Sequence, residues 1–121
     1  MIRKIKFTSI PVRDQDRALR FYLDTLGFTL VTDQPMGPGQ RWIEMRPPKG
    51  DGGIALFTPP GFEDRIGTFT GISMECDDVE KTYADLRAKG VEFAKPPKKE
   101  SWGVSAIMKD SEGNQIVLSS S

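Results

Sequence analysis

The stretch IKFTSIPVRDQDRALRFYLDTLGF, residues 5–28, predicts a strand that leads directly into a helix. Its first residues alternate in polarity, as a half-buried strand does, and its later apolar residues recur with helical spacing. Asp14 stands where a helix N-cap is expected, and Gly27 stands where such a helix usually ends. This order of elements, a strand followed at once by a capped helix, is the signal on which the fold prediction depends.

A second stretch, TGISMECDDVEKTYADLRAKGVEF (residues 70–93), repeats the same order. Val12 corresponds to Cys76 and Gly27 corresponds to Gly90, so the two copies differ in length by one residue. Here we expect Asp77 to be the N-cap, with Glu80 completing a capping box. An internal repeat of this kind fixes the architecture before any single motif does.

Each copy is followed by segments that read as three further strands. The segment RWIEMR (residues 41–46) alternates clearly, whereas PPKKESWG (residues 96–103) reads as a loop. We therefore predict one α+β domain over residues 1–121, made of two βαβββ modules, 1–58 and 68–121, joined by a linker, 59–67. The modules would form a curved mixed sheet with both helices on its convex face, leaving the concave face, called the cup below, free to hold a ligand.

The overall composition narrows the classes of function. Seventeen basic and seventeen acidic residues give a net charge of zero, which argues against nucleic acid as a partner. No apolar run is long enough to span a membrane, and no secretion signal is visible near the start of the sequence. One cysteine, Cys76, excludes an internal disulfide, so we expect a cytoplasmic protein. The absence of histidine removes histidine-based catalysis and metal ligation.

Four segments resemble the vicinal oxygen chelate superfamily, which includes glyoxalases, bleomycin-resistance proteins and extradiol dioxygenases. They are PVRDQDRALRFYLDTLGF, RWIEM, CDDVEKTYADLRAKGVEF and KDSEGNQIVL. The resemblance covers nearly the whole chain and implies the paired βαβββ fold. It implies less about activity, because this fold supports enzymes as well as binding proteins that perform no chemistry.

The resemblance also implies where metal ligands would stand. Metal-dependent members carry four ligands on cup-facing strand positions, and these positions correspond here to Phe7, Ala55, Gly71 and Val117. None of these side chains coordinates a metal ion, so we expect neither a metal nor another cofactor.

Alternation along the strands then predicts what faces the cup. With the four equivalent positions taken as cup-facing, and with Trp102 added from a loop that rims the cup, we expect a mostly apolar site with a few polar groups. The predicted ligand-binding residues are Phe7, Ser9, Trp42, Glu44, Arg46, Phe57, Ser73, Glu75, Trp102 and Gln115. The alternate strand positions, which would face the helices, are mostly apolar. Cys76 is one of them, and we expect it to be a small buried hydrophobic residue.

Our leading hypothesis is a metal-independent, homodimeric protein that binds a small organic molecule, similar to the bleomycin-resistance branch. One alternative is a lyase, isomerase or dioxygenase that uses a displaced metal site, or uses Glu44 and Glu75 as acid–base groups. Another is that Phe7, Trp42 and Phe57 simply fill the cup, since protein interiors are close-packed. The fold would then serve protein contacts only. Trp102 fits either a lid over the cup or a plug within the core.

Overall fold

The computed structural model describes residues 1–120, which divide into two compact units, Met1–Ile66 and the part that begins at Gly67. Each unit contains one strand, one helix and then three strands, and each forms a four-stranded mixed sheet. The α+β class and the two βαβββ units are therefore confirmed. The narrower module limits, 1–58 and 68–121 with linker 59–67, stay a prediction.

The first unit contains the strands β1 to β4 and the helix α1. Their bounds are β1 Thr8–Ile10, α1 Gln15–Arg20, β2 Thr29–Pro35, β3 Arg41–Arg46 and β4 Ile54–Leu56. The sheet order is β1-β4-β3-β2, with β1 parallel to β4 and the other pairs antiparallel. The strand predicted from residue 5 onward is thus shorter than expected, and RWIEMR matches β3 from end to end.

The second unit repeats this arrangement with the strands β5 to β8 and the helix α2. Their bounds are β5 Phe69–Glu75, α2 Val79–Ala88, β6 Phe93–Glu100, β7 Gly103–Lys109 and β8 Gln115–Ser120. The sheet order is β5-β8-β7-β6, and the parallel pair is β5 with β8. Residues 96–100, expected to lie in a loop, belong to β6 instead. Pro96 and Pro97 are tolerated because β6 is an edge strand whose pairing shifts register between Lys95 and Lys98.

The helices cover one face of each sheet. In the first unit α1 packs against β4, and the buried residues alternate along β3 at Ile43 and Met45. In the second unit α2 packs against β6, β7 and β8, where Ile116 and Leu118 are buried and their neighbours are partly exposed. This alternation of buried and partly exposed residues agrees with the prediction. It leaves the odd-numbered residues of β8 on the face that α2 does not cover, called the uncovered face below.

Both helices begin at an aspartate cap, although only one cap was predicted at the right residue. The Asp14 carboxylate accepts a hydrogen bond from the Arg17 N–H at 3.0 Å, as expected. The expected N-cap Asp77 is wrong, because Asp78 is the residue that accepts from the Lys81 N–H, also at 3.0 Å. After α1 the chain widens into a π-helical segment, Phe21–Thr25, which places Tyr22 in the core with no exposed surface.

No helix among residues 1–120 is long and apolar enough to cross a bilayer.

Candidate functional site

Three aromatic side chains meet on the first unit's sheet, away from the face that α1 covers. The Trp42 ring lies edge-on to Phe7, with 5.0 Å between ring centroids, and is tilted against Phe57 at 5.3 Å. All three side chains are half-buried. Trp42, Phe7 and Phe57, called the aromatic cluster below, are the three rings that alternation placed on one face, and the structure brings them into contact.

The cluster depends on a close approach of backbone segments near Gly53. The Thr8 N–H donates to the Gly53 carbonyl at 3.0 Å, which fixes the chain just after Phe7. A Cβ atom added at Gly53 would lie 3.3 Å from the Met45 carbonyl oxygen and 3.7 Å from the Phe7 Cβ. A side chain at this position would therefore crowd the Met45 carbonyl, which would have to move by a few tenths of an ångström.

The Glu44 carboxylate lies beside the cluster, on the same strand as Trp42. The indole N–H of Trp42 donates to Glu44 Oε1 at 3.4 Å, which is long for a hydrogen bond. Glu44 is half-buried, and its cross-strand neighbours are Thr32 and Ala55. This is a carboxylate at the border of an apolar surface.

Arg41, three residues before Glu44 on β3, bonds to other carboxylates. Arg41 donates to Asp33 at 2.9 and 3.3 Å and also forms an ion pair with Asp16 at 2.8 Å. The hydrogen bond with Asp33 is the largest of the effects that raise the pKa of Arg41 above its usual range, and burial partly opposes it. Arg41 therefore links α1, β2 and β3, and its positive charge does not neutralise Glu44.

Three further predicted positions lie on the same sheet. Ser9 is half-buried and pairs with Ala55, which pairs on its other side with Glu44. Ala55 itself has no exposed surface. Arg46 ends β3 on the face of Trp42 and Glu44, and its side chain is exposed.

In the second unit the uncovered face of the sheet is mainly polar. Ser73 and Ser119 share a hydrogen bond of 3.0 Å between their hydroxyls, and Val117 lies opposite Ser73. Glu75 pairs with Ser119 and is exposed. Its carboxylate forms no ion pair or hydrogen bond within residues 1–120. The Gln115 carbonyl accepts from the Thr70 hydroxyl at 2.8 Å, which fixes the start of β8.

This face also contains residues that sequence reasoning missed. Phe69, opposite Gln115, is 55% exposed and lies two residues before the expected cup position at Gly71, but it is not among the predicted ligand-binding residues. On β7 the pairing places Ser105 opposite Ser119 and Lys109 opposite Gln115. Simple alternation along VSAIMKD would have found both.

Comparison with known proteins identifies the family. The model of the glyoxalase/bleomycin resistance protein/dioxygenase superfamily matches residues 4–118. The chain belongs to this superfamily.

Individual relatives extend over almost the whole chain. The uncharacterised protein YetH of Bacillus subtilis is 30% identical over 118 residues, 98% of both chains. A superfamily member from Sphaerobacter thermophilus is 36% identical, with a TM-score of 0.89 and coverage of 99% of this chain and 98% of that one. TnmS3, an antibiotic binding protein from Streptomyces sp. CB03234, is 34% identical, with a TM-score of 0.81 and coverage of 98% and 96%.

The positions where metal-dependent superfamily members would hold a metal do not fit one here. The Phe7 ring packs on Trp42, and the fully buried Ala55 offers only a methyl group. Gly71 has a φ of +74°, in the left-handed region, and marks a break in the pairing of β5 with β8. A histidine at Gly71 would be strained, and Val117 provides no donor atom. Within residues 1–120, no group of three or more acidic or cysteine side chains is placed to hold a metal ion.

The structure decides against one of the two alternatives for Trp102 and differs from the prediction for Cys76. Trp102 lies in the tight turn between β6 and β7 and is 58% exposed, so it does not plug the core of its unit. Cys76 is only half-buried rather than fully buried. Burial is the main cause that raises the pKa of the Cys76 thiol, and the Asp77 and Glu75 charges add to the rise, whereas a hydrogen bond with Thr82 opposes it. This thiol is a poor nucleophile at neutral pH.

Proposed function

We propose that this superfamily member binds a small organic molecule through the aromatic cluster, without a metal ion and without chemical conversion. The observation that carries the proposal is the contact of three half-buried rings, Phe7, Trp42 and Phe57, on the face of the first unit's sheet that α1 does not cover. Rings that keep part of their surface exposed can stack on a planar ligand, whereas sealed core rings cannot.

The likeness to TnmS3, an antibiotic binding protein, supports a binding role of this kind. The proposed site residues of the first unit are Phe7, Ser9, Trp42, Glu44, Arg46 and Phe57. For the second unit, taken by itself, we propose separate ligand contacts at Ser73, Glu75, Trp102 and Gln115, to which the structure adds Phe69. The polar side chains would orient the ligand, since such sites combine a large apolar area with few directional groups.

Tryptophan fluorescence tests the proposal directly. The chain has two tryptophans, so a Trp102→Phe background leaves Trp42 as the only indole reporter. We expect at least one planar compound from a panel of riboflavin, acridine and anthraquinone-2-sulfonate to quench Trp42 saturably in the presence of EDTA. Phe57→Ala should weaken that binding about tenfold, as loss of a central aromatic contact does.

Phe62→Ala is the matched control for Phe57→Ala. Phe62 is an aromatic residue of the same unit, 38% exposed, whose ring packs against Arg65 rather than against Trp42. Phe62→Ala should leave the affinity for the quenching compound unchanged. The proposal fails if no member of the panel quenches Trp42 saturably, or if binding appears only after a metal ion is added.

We further propose a cytoplasmic homodimer. The single cysteine supports the location, because a secreted domain of this size often depends on disulfides. Light scattering at micromolar concentration tests the assembly, and a monomer mass would contradict it. Nucleic acid and membranes are not among the proposed partners.

A further inference from the structure

The Glu44 carboxylate has an unusual position for an acidic residue, because it is half-buried and forms no ion pair with a basic side chain within residues 1–120. Its one recorded partner within residues 1–120 is the Trp42 indole N–H, at 3.4 Å from Oε1. A neutral donor at that distance satisfies a carboxylate weakly, and the second oxygen, Oε2, has no recorded partner in the same part of the chain.

The cations that could neutralise Glu44 are engaged elsewhere or exposed. The Arg41 guanidinium lies between Asp33 and Asp16, at 2.9 and 2.8 Å. Arg46 follows Glu44 by two residues on the same face, but its side chain is exposed, and no ion pair between Arg46 and Glu44 occurs within the described residues. The negative charge of Glu44 is therefore available to whatever occupies the surface beside it.

The aromatic cluster adds to this charge rather than offsetting it. The faces of aromatic rings carry partial negative charge and attract cations, most strongly at tryptophan. Trp42 is in contact with Phe7, with Phe57 and with Glu44, so the rings and the carboxylate lie side by side. A planar ring that carries a positive charge would satisfy both components at once.

We propose that Glu44 makes this site selective for planar organic cations, such as aromatic ring systems that bear a quaternary or protonated nitrogen. The proposal rests on the proposed binding function and specifies the class of its ligand. The ring of the ligand stacks on the aromatic cluster, and its positively charged nitrogen lies against Glu44. An anion of the same shape meets a negative charge and is rejected.

Three probes of nearly equal shape test the charge preference by Trp42 quenching in the Trp102→Phe background. They are N-methylacridinium, a permanent cation; acridine in mildly alkaline buffer, where it is neutral; and acridine-9-carboxylate, an anion. We expect the cation to bind at least tenfold more tightly than neutral acridine, and the anion to bind most weakly. Glu44→Gln keeps the shape of the side chain and should reduce the preference for the cation to less than twofold.

Glu80→Gln is the control, because Glu80 is an exposed carboxylate in the first turn of α2 and belongs to no proposed site. It should preserve most of the preference. Arg46→Gln provides a second, independent measurement, since removal of the positive charge on the same face as Glu44 should strengthen cation binding. Equal binding of cation and neutral acridine, or an undiminished preference in Glu44→Gln, overturns this inference alone. Failure of all three probes to quench Trp42 counts against the binding function itself.

Discussion

Gln15 and Arg41 exchange two hydrogen bonds between a side chain and a backbone. The Gln15 amide donates to the Arg41 carbonyl at 2.7 Å and accepts from the Arg41 N–H at 2.9 Å. The same amide donates to the Leu56 carbonyl at 2.8 Å. The first residue of α1 therefore holds the start of β3 and the end of β4, the two strand ends next to Trp42 and Phe57 in the sequence.

We expect Gln15→Ala to lower the free energy of unfolding by about 1–3 kcal/mol, because it leaves partly buried backbone groups without partners. Urea denaturation followed by circular dichroism measures the change. Gln34→Ala is the matched control, since Gln34 is an exposed amide of the same unit that donates to the Thr32 hydroxyl. Its effect should stay within about 0.5 kcal/mol. Equal effects of the two substitutions would contradict the role of Gln15.

The sequence predicted the parts of the fold that depend on periodicity. Alternation in RWIEMR located β3 and put Trp42 and Glu44 on one face, because pleated geometry determines which side chains share a face. The contacts of Arg41 with Asp16 and Asp33 could not be predicted, since they depend on which strands and helix ends pack together.

Two errors came from signals that the sequence contained. The repeat aligns Asp14 with Asp78, so the correct N-cap was available from the first copy, although Asp77 was chosen. The break in β5 at Gly71 was missed because uniform alternation was assumed through a glycine, the residue that most often marks an irregularity within a strand.

The left-handed backbone at Gly71 leads to a prediction about stability. Space is available for a Cβ atom there, so the cost of substitution comes from the φ of +74° and not from a clash. Gly71→Ala should therefore destabilise the protein by about 1–2 kcal/mol. Gly71→Asn should cost less, because asparagine tolerates the left-handed region better than alanine does. Urea denaturation of both variants measures the difference, and a more stable alanine variant would contradict the explanation.

The raised pKa of the Cys76 thiol predicts how stability depends on pH. Burial disfavours the thiolate in the folded protein, so the unfolded chain, with an ordinary thiol pKa of about 8.5, loses its proton first as pH rises. The contribution of Cys76 to stability is therefore complete below that pH and declines as pH rises through the folded pKa.

Cys76→Ser removes this term, so the difference in unfolding free energy between the wild type and Cys76→Ser should shrink from neutral to alkaline solution. Iodoacetamide should also alkylate folded Cys76 more slowly than a small model thiol at neutral pH. A difference that grows with pH, or faster alkylation than that of the model thiol, would contradict the raised pKa.

The turn before β8 contains two polar residues with opposite predicted effects. The Asn114 side chain is fully buried, accepts from the Gly67 N–H at 2.7 Å and donates to the Asp110 carboxylate at 3.1 Å. Asn114→Ala should cost about 3 kcal/mol, because it leaves a backbone donor and a buried carboxylate oxygen with fewer partners. The Ser111 hydroxyl, in contrast, is buried without a hydrogen-bond partner within residues 1–120.

Ser111→Ala should therefore be neutral, or stabilising by up to about 1 kcal/mol, because it removes a hydroxyl that is desolvated without compensation. Asn114→Ala and Ser111→Ala change residues of the same turn. If only Asn114→Ala lowers the free energy of unfolding in urea denaturation, the loss comes from the hydrogen bonds and not from any substitution in the turn. A loss of more than about 1 kcal/mol in Ser111→Ala would show that this hydroxyl has a partner in solution, such as a bound water molecule.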